Sequence, residues 1–515
     1  MSEAVAPIDF VVLALWLIGV TVWGSWLGRG ARGGKDYFLG GRNLPWWAVL
    51  LSVVATETST LTFLSIPGVS YLGALTFMQL TLGYLVGRVV VAAFFLPAYA
   101  RGEISTVYQL LETRFGSGVR RVTSGIFMIT RLLADSVRLF ATAIPLALIT
   151  GWSYPVSIAV IGGLTLVYTW AGGIRAVVWV DAVQMGLYLG GALIAAFALQ
   201  SVVPGGWGAI LQEAGAAGKL ALVDTRFDPG VAYTLWAGVL GGALFTMASH
   251  GTDHLIVQRL LTCRSLRDSR RALVGSGVLV IGQFLVFLLL GLGLWVHFEG
   301  RTFASNDAIF ATFIVETLPP GVTGLLVAGV FAAAMSSLSS SINALASATV
   351  YDFWAPAVGA VDDDEGTLRA GRIFTLVWAA LLIGGAILFI PFGMGTTAVE
   401  VALAAASLVY GGLLGVFLLA LFSPRADGRS ATLGIAAGVG VVAAVWIAGR
   451  VDVLPFALAW TWFVPVGGAV TWIVGTLFGT GAPARIRAHG PATGTAHAVD
   501  PGQTVDRVDA AGSGR

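Results

Sequence analysis

The stretch LLSVVATETSTLTFLSIPGVSY, residues 50–71, decides how this chain folds. Its ends are apolar enough for a bilayer, yet Thr56, Glu57, Thr58, Ser59 and Thr60 crowd its middle, and Ile66-Pro67-Gly68 disturbs it again. Hydroxyl side chains offer the backbone an alternative to the helical ladder, and proline removes one rung. The pattern predicts a helix interrupted across Ala55–Thr62. A second stretch, FTMASHGTDHLIVQR (245–259), is interrupted in a comparable way, with Gly251 beside His250, Asp253 and His254. Two such breaks five spans apart point to an inverted repeat with a site near the bilayer midplane. Unwound backbone is tolerable there only where it lines a cavity or holds an ion. The plainer reading is a pair of polar kinks packed against neighbouring helices.

The setting of these stretches is a membrane. Of 515 residues, 57% are hydrophobic and 11% charged, against about 25% charged in a soluble protein. Most of the surface must therefore face lipid. One cysteine, Cys263, excludes an internal disulfide, and a net charge of +2 carries no message about nucleic acid. Seventeen Trp and 68 Gly suit interfacial anchors and close helix packing. The first apolar stretch, Ile8 to Leu27, is too long for a signal-peptide core and lacks a basic flank, so it reads as a retained helix.

Spans of about 20 apolar residues fall near 8–28, 45–74, 76–99, 119–150, 154–171, 176–201, 231–258, 272–297, 321–351, 372–392, 396–423, 430–449 and 454–478. Longer loops cover 202–230 and 298–320, and the polar tail from Gly479 reads as disordered. With the N-terminus outside, the cytoplasmic loops hold 18 Lys and Arg and the external loops four. That bias places the N-terminus outside and the tail in the cytoplasm.

The ninth span contains GVFAAAMSSLSSSINALASATVYDF (329–353), where five of the six residues 336–341 are Ser. Ala333, Ser336, Ser337 and Ser340 share one helical face. Such a face offers uncharged oxygen, which suits a weakly held monovalent cation. A serine-rich membrane helix also suits tight packing, each hydroxyl bonded to its own i−4 carbonyl. Carbonyls freed near Ala55 and Thr58 would complete an oxygen cage and favour the cation.

The chain resembles the sodium:solute symporter family over residues 8–478. The resemblance rests on YFLGGRNLPWW (37–47), ATETS (55–59), STVYQLLETRF (105–115), YTWAGGIRAVVWVDAVQ (168–184), VQRLL (257–261) and AAAMSSLSSS (332–341). It is similar above all to the iodide and monocarboxylate branch. The resemblance implies an all-α membrane protein of 13 transmembrane helices, with a five-plus-five inverted-repeat core of the leucine-transporter type, one helix before it and two after. Residues 1–478 then form one transport domain, with repeats at about 45–201 and 231–423, followed by a cytoplasmic tail at 479–515. It further implies a multi-pass plasma-membrane symporter rather than an enzyme, with sodium as coupling ion, no other cofactor, and a small solute as its partner. The main sodium site carries over to the carbonyls of Ala55, Thr58 and Ala333 and the hydroxyls of Ser336 and Ser337. A second maps onto Asp181, Ser336, Ser339 and Ser340, although Asp181 also fits a plain helix N-terminal carboxylate. Val180 and Ser249 depart from the family pattern, and Ser249 stands where sugar-transporting members carry an aromatic gate.

Candidates for holding the solute are Glu57, Thr62, Gln79, Asp135, Arg138, Thr246, Ser249 and His250. Glu57 reads either as a substrate contact or as a carboxylate paired with a nearby Arg or His. Arg131, Asp135 and Arg138 share one helical face with net charge +1, which suits an anionic solute, while Arg131 itself reads as a latch between helices. Arg88 and Glu400 are membrane charges without an evident partner. His250 and His254 raise a metal site, but a third strong ligand is missing from the pattern. The rivals are a proton-coupled transporter of the same architecture, a membrane sensor and an intramembrane metalloenzyme.

Overall fold

The structure, a computed structural model, describes residues 6–28, 30–102, 104–303, 305–360, 365–392, 398–450 and 457–481. It is built from helices. Among the described residues, β-type pairing amounts to one isolated bridge between Leu44 and Cys263. We number the main helices α1 (Pro7–Leu27), α2 (Trp46–Glu57), α3 (Thr60–Leu72), α4 (Met78–Val90), α5 (Ser117–Thr150), α6 (Tyr154–Val202), α7 (Gly242–Gly251), α8 (His254–Leu261), α9 (Leu266–His297), α10 (Asn306–Glu316), α11 (Val322–Thr349), α12 (Glu365–Phe389), α13 (Ala398–Phe422), α14 (Gly428–Arg450) and α15 (Phe463–Leu477). Among the described residues, eight helical segments are long and apolar enough to cross a bilayer, and the bent pair α2–α3 makes a ninth.

Burial separates the helices by role. In the most apolar window of the segment that contains α11, 89% of residues are buried, against 28% in α1 and 22% in α12. A helix apolar on all sides must be covered by protein or by lipid. The serine helix is covered by protein, packed between α6, α5, α12 and α1. Lipid tails are as apolar as leucine, so close packing rather than water exclusion holds such helices together. Gly83 and Gly87 of α4 illustrate this, because a Cβ at either would collide with the carbonyls of Gly238 and Ala243.

The expected spans 154–171 and 176–201 meet within α6, a run of 49 residues that passes through a kink. A straight helix of that length would run about 70 Å, far beyond a hydrocarbon core of about 30 Å. Gly173 interrupts it at φ 54°, ψ −152°, with no room for a Cβ against Tyr37. The loops at 202–230 and 298–320 also carry helices, Gly206–Ala216 and α10. A further change is Arg259, counted among the loop cations; it lies fully buried in α8. Of the tail, residues 482–515 lie outside the described residues, as does the side chain of Glu400.

Candidate functional site

The break falls where the hydroxyl cluster lies. α2 ends at Glu57, Thr58 is extended (φ −89°, ψ 90°), and α3 leaves at 61° to α2. The ladder closes with the Thr58 amide on the Val54 carbonyl (2.8 Å) and resumes with Phe63 on Ser59 (3.1 Å). The i+4 amides of Ala55 and Thr58 belong to Ser59 and Thr62, astride the bend. The Thr58 hydroxyl accepts from Gln283 Nε2 of α9 at 2.8 Å, and Thr60 Oγ1 donates to the Val330 carbonyl of α11 at 3.1 Å. The broken span is thus stitched to the serine helix.

The serines of α11 do not act alike. Ser339 and Ser340 donate back to the Ser336 carbonyl at 3.0 and 2.6 Å, the local bonding open to any membrane serine. Ser341 reaches Asp135 Oδ2 at 2.5 Å. Ser336 and Ser337, expected to serve one ion together, point different ways. Ser336 donates to Asp181 Oδ1 at 2.7 Å, whereas the buried Ser337 hydroxyl has no partner among the described residues. Ser337 borders a void of about 10 Å³ shared with Ser59, Asp135, Arg138 and Ala334, enough for about one water-sized body.

Asp181 is fully buried and accepts from Ser52 (2.6 Å), Ser336 and Arg259 (3.3 Å). Arg259 also bonds Ser340 and Ser52. Of the four residues expected to form the second ion site, Asp181 and Ser336 touch directly, Ser339 reaches only the Ser336 carbonyl, and Ser340 is joined both to that carbonyl and to Arg259. A cation therefore already sits beside Asp181, and it is part of the protein. VQRLL holds this arginine in plain view, but a count of basic residues by loop assigns it to the cytoplasm.

A cavity of about 120 Å³ lies between the two breaks. Glu57 and Thr62 line it from the first, Ser249 and His250 from the second, and Arg131 and Arg138 from α5. Glu57 forms an ion pair with Arg88, the partner that the sequence left unnamed. Arg88 contacts His250 Nε2 at 3.1 Å, and His250 Nδ1 lies 2.8 Å from Ser249 Oγ. Arg131 bonds Asp253, whose Oδ2 also accepts from Tyr410 at 2.6 Å. Among the described residues, Arg138 is held only by Asp135, at 3.1 Å, and its Nε has no partner.

Three solute candidates lie elsewhere. Gln79 donates to the Tyr233 carbonyl (3.0 Å) and accepts from the Asp224 amide (3.2 Å), which ties it to the 202–230 segment. Thr246 packs against Gly87, and Asp135 borders the smaller void. His250 and His254 do not converge: His254 Nε2 lies 3.1 Å from Ser347 Oγ, beside Tyr108 and Phe127. Among the described residues, no group of three His, Cys, Asp or Glu could hold a metal ion. Gln283, a lone amide in an apolar run, and Tyr410 enter the site unforeseen.

The sodium:solute symporter family matches residues 37–438. The chain belongs to that family. It is 29% identical to the human sodium/iodide cotransporter over 85% of this chain and 69% of that one. It is 26% identical to the sodium/sialic acid symporter SiaT of Proteus mirabilis over 90% and 94%. The solved structure of a Na+-coupled sialic acid symporter, described as substrate-bound and outward-open with a novel Na+ site, superposes with TM-score 0.84 at 27% identity, over 93% of this chain and 99% of that one. Mhp1, a nucleobase-cation-symport-1 family transporter, shares the fold alone, at 12% identity and TM-score 0.54 over 88% and 95%. This protein is accordingly a multi-pass membrane protein and a sodium-coupled symporter, not an enzyme.

Proposed function

We propose that this symporter carries a small organic anion, bound in the 120 Å³ cavity with its carboxylate on Arg138. One observation carries the reading: Arg138 faces the cavity with a single ion-pair partner and an unpartnered Nε. The other two guanidiniums are less available: Arg131 is committed to Asp253 and Tyr410, and Arg88, paired with Glu57, is not among the residues that line the cavity. A planar carboxylate can take two parallel bonds from a guanidinium fork. The modest cavity favours a short carboxylate over a bulky sugar.

We assign the main sodium site to the carbonyls of Ala55, Thr58 and Ala333 with the hydroxyl of Ser337, and Ser336 as a ligand shared with the second site at Asp181, Ser339 and Ser340. Support for this comes from the open Ser337 hydroxyl and the interruption of the helix at Thr58. The architecture is read as 13 spans, two inverted five-helix repeats at about 45–201 and 231–423 within a single transport domain, N-terminus outside and tail cytoplasmic. Burial of Arg259 leaves the bias of basic residues toward the cytoplasmic loops intact. Sodium ordering α2–α3 against α11 shapes the solute cavity, and both ligands then favour rocking of the bundle toward the inside. Each inward sodium gains about 2.3 kcal/mol per 100 mV, so two sodium ions with one monoanion retain that amount, roughly fiftyfold accumulation before any sodium gradient.

The test is uptake of radiolabelled short-chain carboxylates into proteoliposomes under a sodium gradient. Arg138→Gln is expected to raise the half-saturating solute concentration roughly a hundredfold, since it removes one charge-assisted pair, while sodium-dependent thermal stabilisation survives. Equal uptake by wild type and variant would sink the assignment of the anion to Arg138. Uptake that ignores sodium and collapses with the pH gradient would replace sodium coupling with proton coupling.

A further inference from the structure

Five exposed arginines gather beside the N-terminal ends of α2 and α9 and the Gly173 break of α6: Arg175, Arg264, Arg267, Arg270 and Arg271. They flank a strut in which the Leu44 amide bonds the Thr262 carbonyl at 3.1 Å, with the Leu44–Cys263 bridge beside it. On one side Arg175 and Arg264 share an open cleft of about 600 Å³ with Trp26 and Trp179. On the other, Arg267, Arg270 and Arg271 share one of about 720 Å³ with Trp46 and Val274. Tryptophan concentrates at the bilayer–water interface, where its ring sits at headgroup level.

We propose that this face binds the headgroup of an anionic phospholipid. The cations are poorly compensated. Asp268 is the one acidic residue in 259–275, and it stands 4.0 Å from Arg271. Arg175 and Arg267 make no hydrogen bond or ion pair among the described residues, and Arg270 reaches only the Ala92 carbonyl, at 2.8 Å. Arg267, Arg270 and Arg271 also occupy the first two turns of α9, the positive end of the helix dipole, where cations are disfavoured and an anion is welcome. Mutual repulsion and the dipole both ask for negative charge from outside the chain. A lipid fits this better than free phosphate because the arginines continue into apolar surface. Val274 lies one turn below Val278, which is 60% exposed, and the Gly282 surface beyond it is open. Acyl chains would run along that strip. Basic pockets beside membrane helices recognise acidic headgroups by this combination.

The test uses the full-length protein. Native mass spectrometry from mild detergent counts retained phosphatidylglycerol in wild type, in R267Q/R270Q/R271Q, and in R101Q/R121Q/R369Q, which removes equal charge elsewhere. Retention is expected to fall roughly tenfold in the first variant alone, and phosphatidylglycerol is expected to stabilise wild type and control thermally, but not that variant. Equal retention in all three proteins would overturn the proposal. So would inorganic phosphate stabilising wild type as well as the lipid does, because the site would then be one for a soluble anion. Monodispersity and helical circular dichroism check folding. Should the triple variant fail them, R267Q, whose side chain has no partner to lose, carries the comparison.

Discussion

The two broken spans solve the same backbone problem in opposite ways. At the α2–α3 bend, the amides that would close on Ala55 and Thr58 fall astride the break, beside the unpartnered Ser337 hydroxyl. At the α7–α8 bend, the Ala248 carbonyl takes three donors: the Thr252 amide (2.9 Å), the Asp253 amide (3.2 Å) and the Thr252 hydroxyl (2.9 Å). Asp253 then caps α8 through the Leu255 amide at 2.9 Å and binds Arg131 and Tyr410. One break is finished by the protein's own side chains. The other keeps oxygen in reserve, which is what a transient cation needs. Interrupted helices are necessary for such a site but do not suffice; what separates the two is how many polar groups nearby already have partners.

The largest effect should come from the finished break. Asp253→Ala removes the α8 cap and leaves Arg131 buried without its carboxylate. Losing one partner of a buried pair costs about 3–5 kcal/mol. Thermal unfolding in detergent should show the loss with or without sodium, and Arg131→Met in the same chain should recover part of it. A small loss that appears only with sodium would mean that the second break, too, is an ion site.

The open break makes the contrary prediction. Ser337→Ala removes a buried hydroxyl that has no partner, so stability without sodium should hold or rise, since such groups cost about 1–3 kcal/mol when unsatisfied. Sodium affinity should fall roughly tenfold, or about 1.4 kcal/mol, read from the sodium concentration that gives half the thermal shift. Ser336→Ala should differ: it removes a bond to a buried carboxylate and should destabilise the sodium-free protein by about 1.5–3 kcal/mol. If both variants behave alike, the distinction between the two hydroxyls fails.

Much of this was legible in residues alone. The clash between an apolar run and ATETS located the first break, and Gly251 between polar neighbours located the second, because both are local failures of helix chemistry. The serine face followed from periodicity. Pairing over long distances was not legible. Glu57 and Arg88 are 31 residues apart, and Asp181 and Arg259 are 78 apart; nothing in either neighbourhood names its partner. Arg259 was misplaced because a cation one turn past an apolar run looks like a loop residue until its carboxylate is found. The pair of apolar runs joined by Gly172-Gly173 is legible as two spans; what the residues do not show is that the turn between them is made by one glycine at positive φ rather than by a loop.

The smallest effect sharpens the comparison by moving the same cap into water. Asp427 starts α14 as Asp253 starts α8: its Oδ1 accepts the Ser430 amide at 2.9 Å, and the Ser430 hydroxyl accepts the Asp427 amide at 2.9 Å. Thr480 adds its hydroxyl to Oδ2 at 2.7 Å. The Ser430 amide foremost, then the Thr480 hydroxyl, pull this carboxyl down from 3.8 to about 2. A carboxyl with a depressed folded-state pKa contributes stability that is present above its unfolded value and disappears as pH falls through the folded one. The contribution should therefore be complete above pH 3.8 and fade toward pH 2. Asp427→Ala should cost about 1 kcal/mol at neutral pH, the usual worth of an exposed N-cap, and Asp427→Asn less, because its amide oxygen can still accept. Thermal melts of the three proteins across that pH interval should converge at the acid end. The same carboxylate–amide geometry is thus worth severalfold more at α8 than at α14, and the excess measures the buried guanidinium that Asp253 must also satisfy. An Asp427→Ala loss as large as that of Asp253→Ala would place the cost in the cap itself and remove the distinction between a finished break and an ordinary helix start.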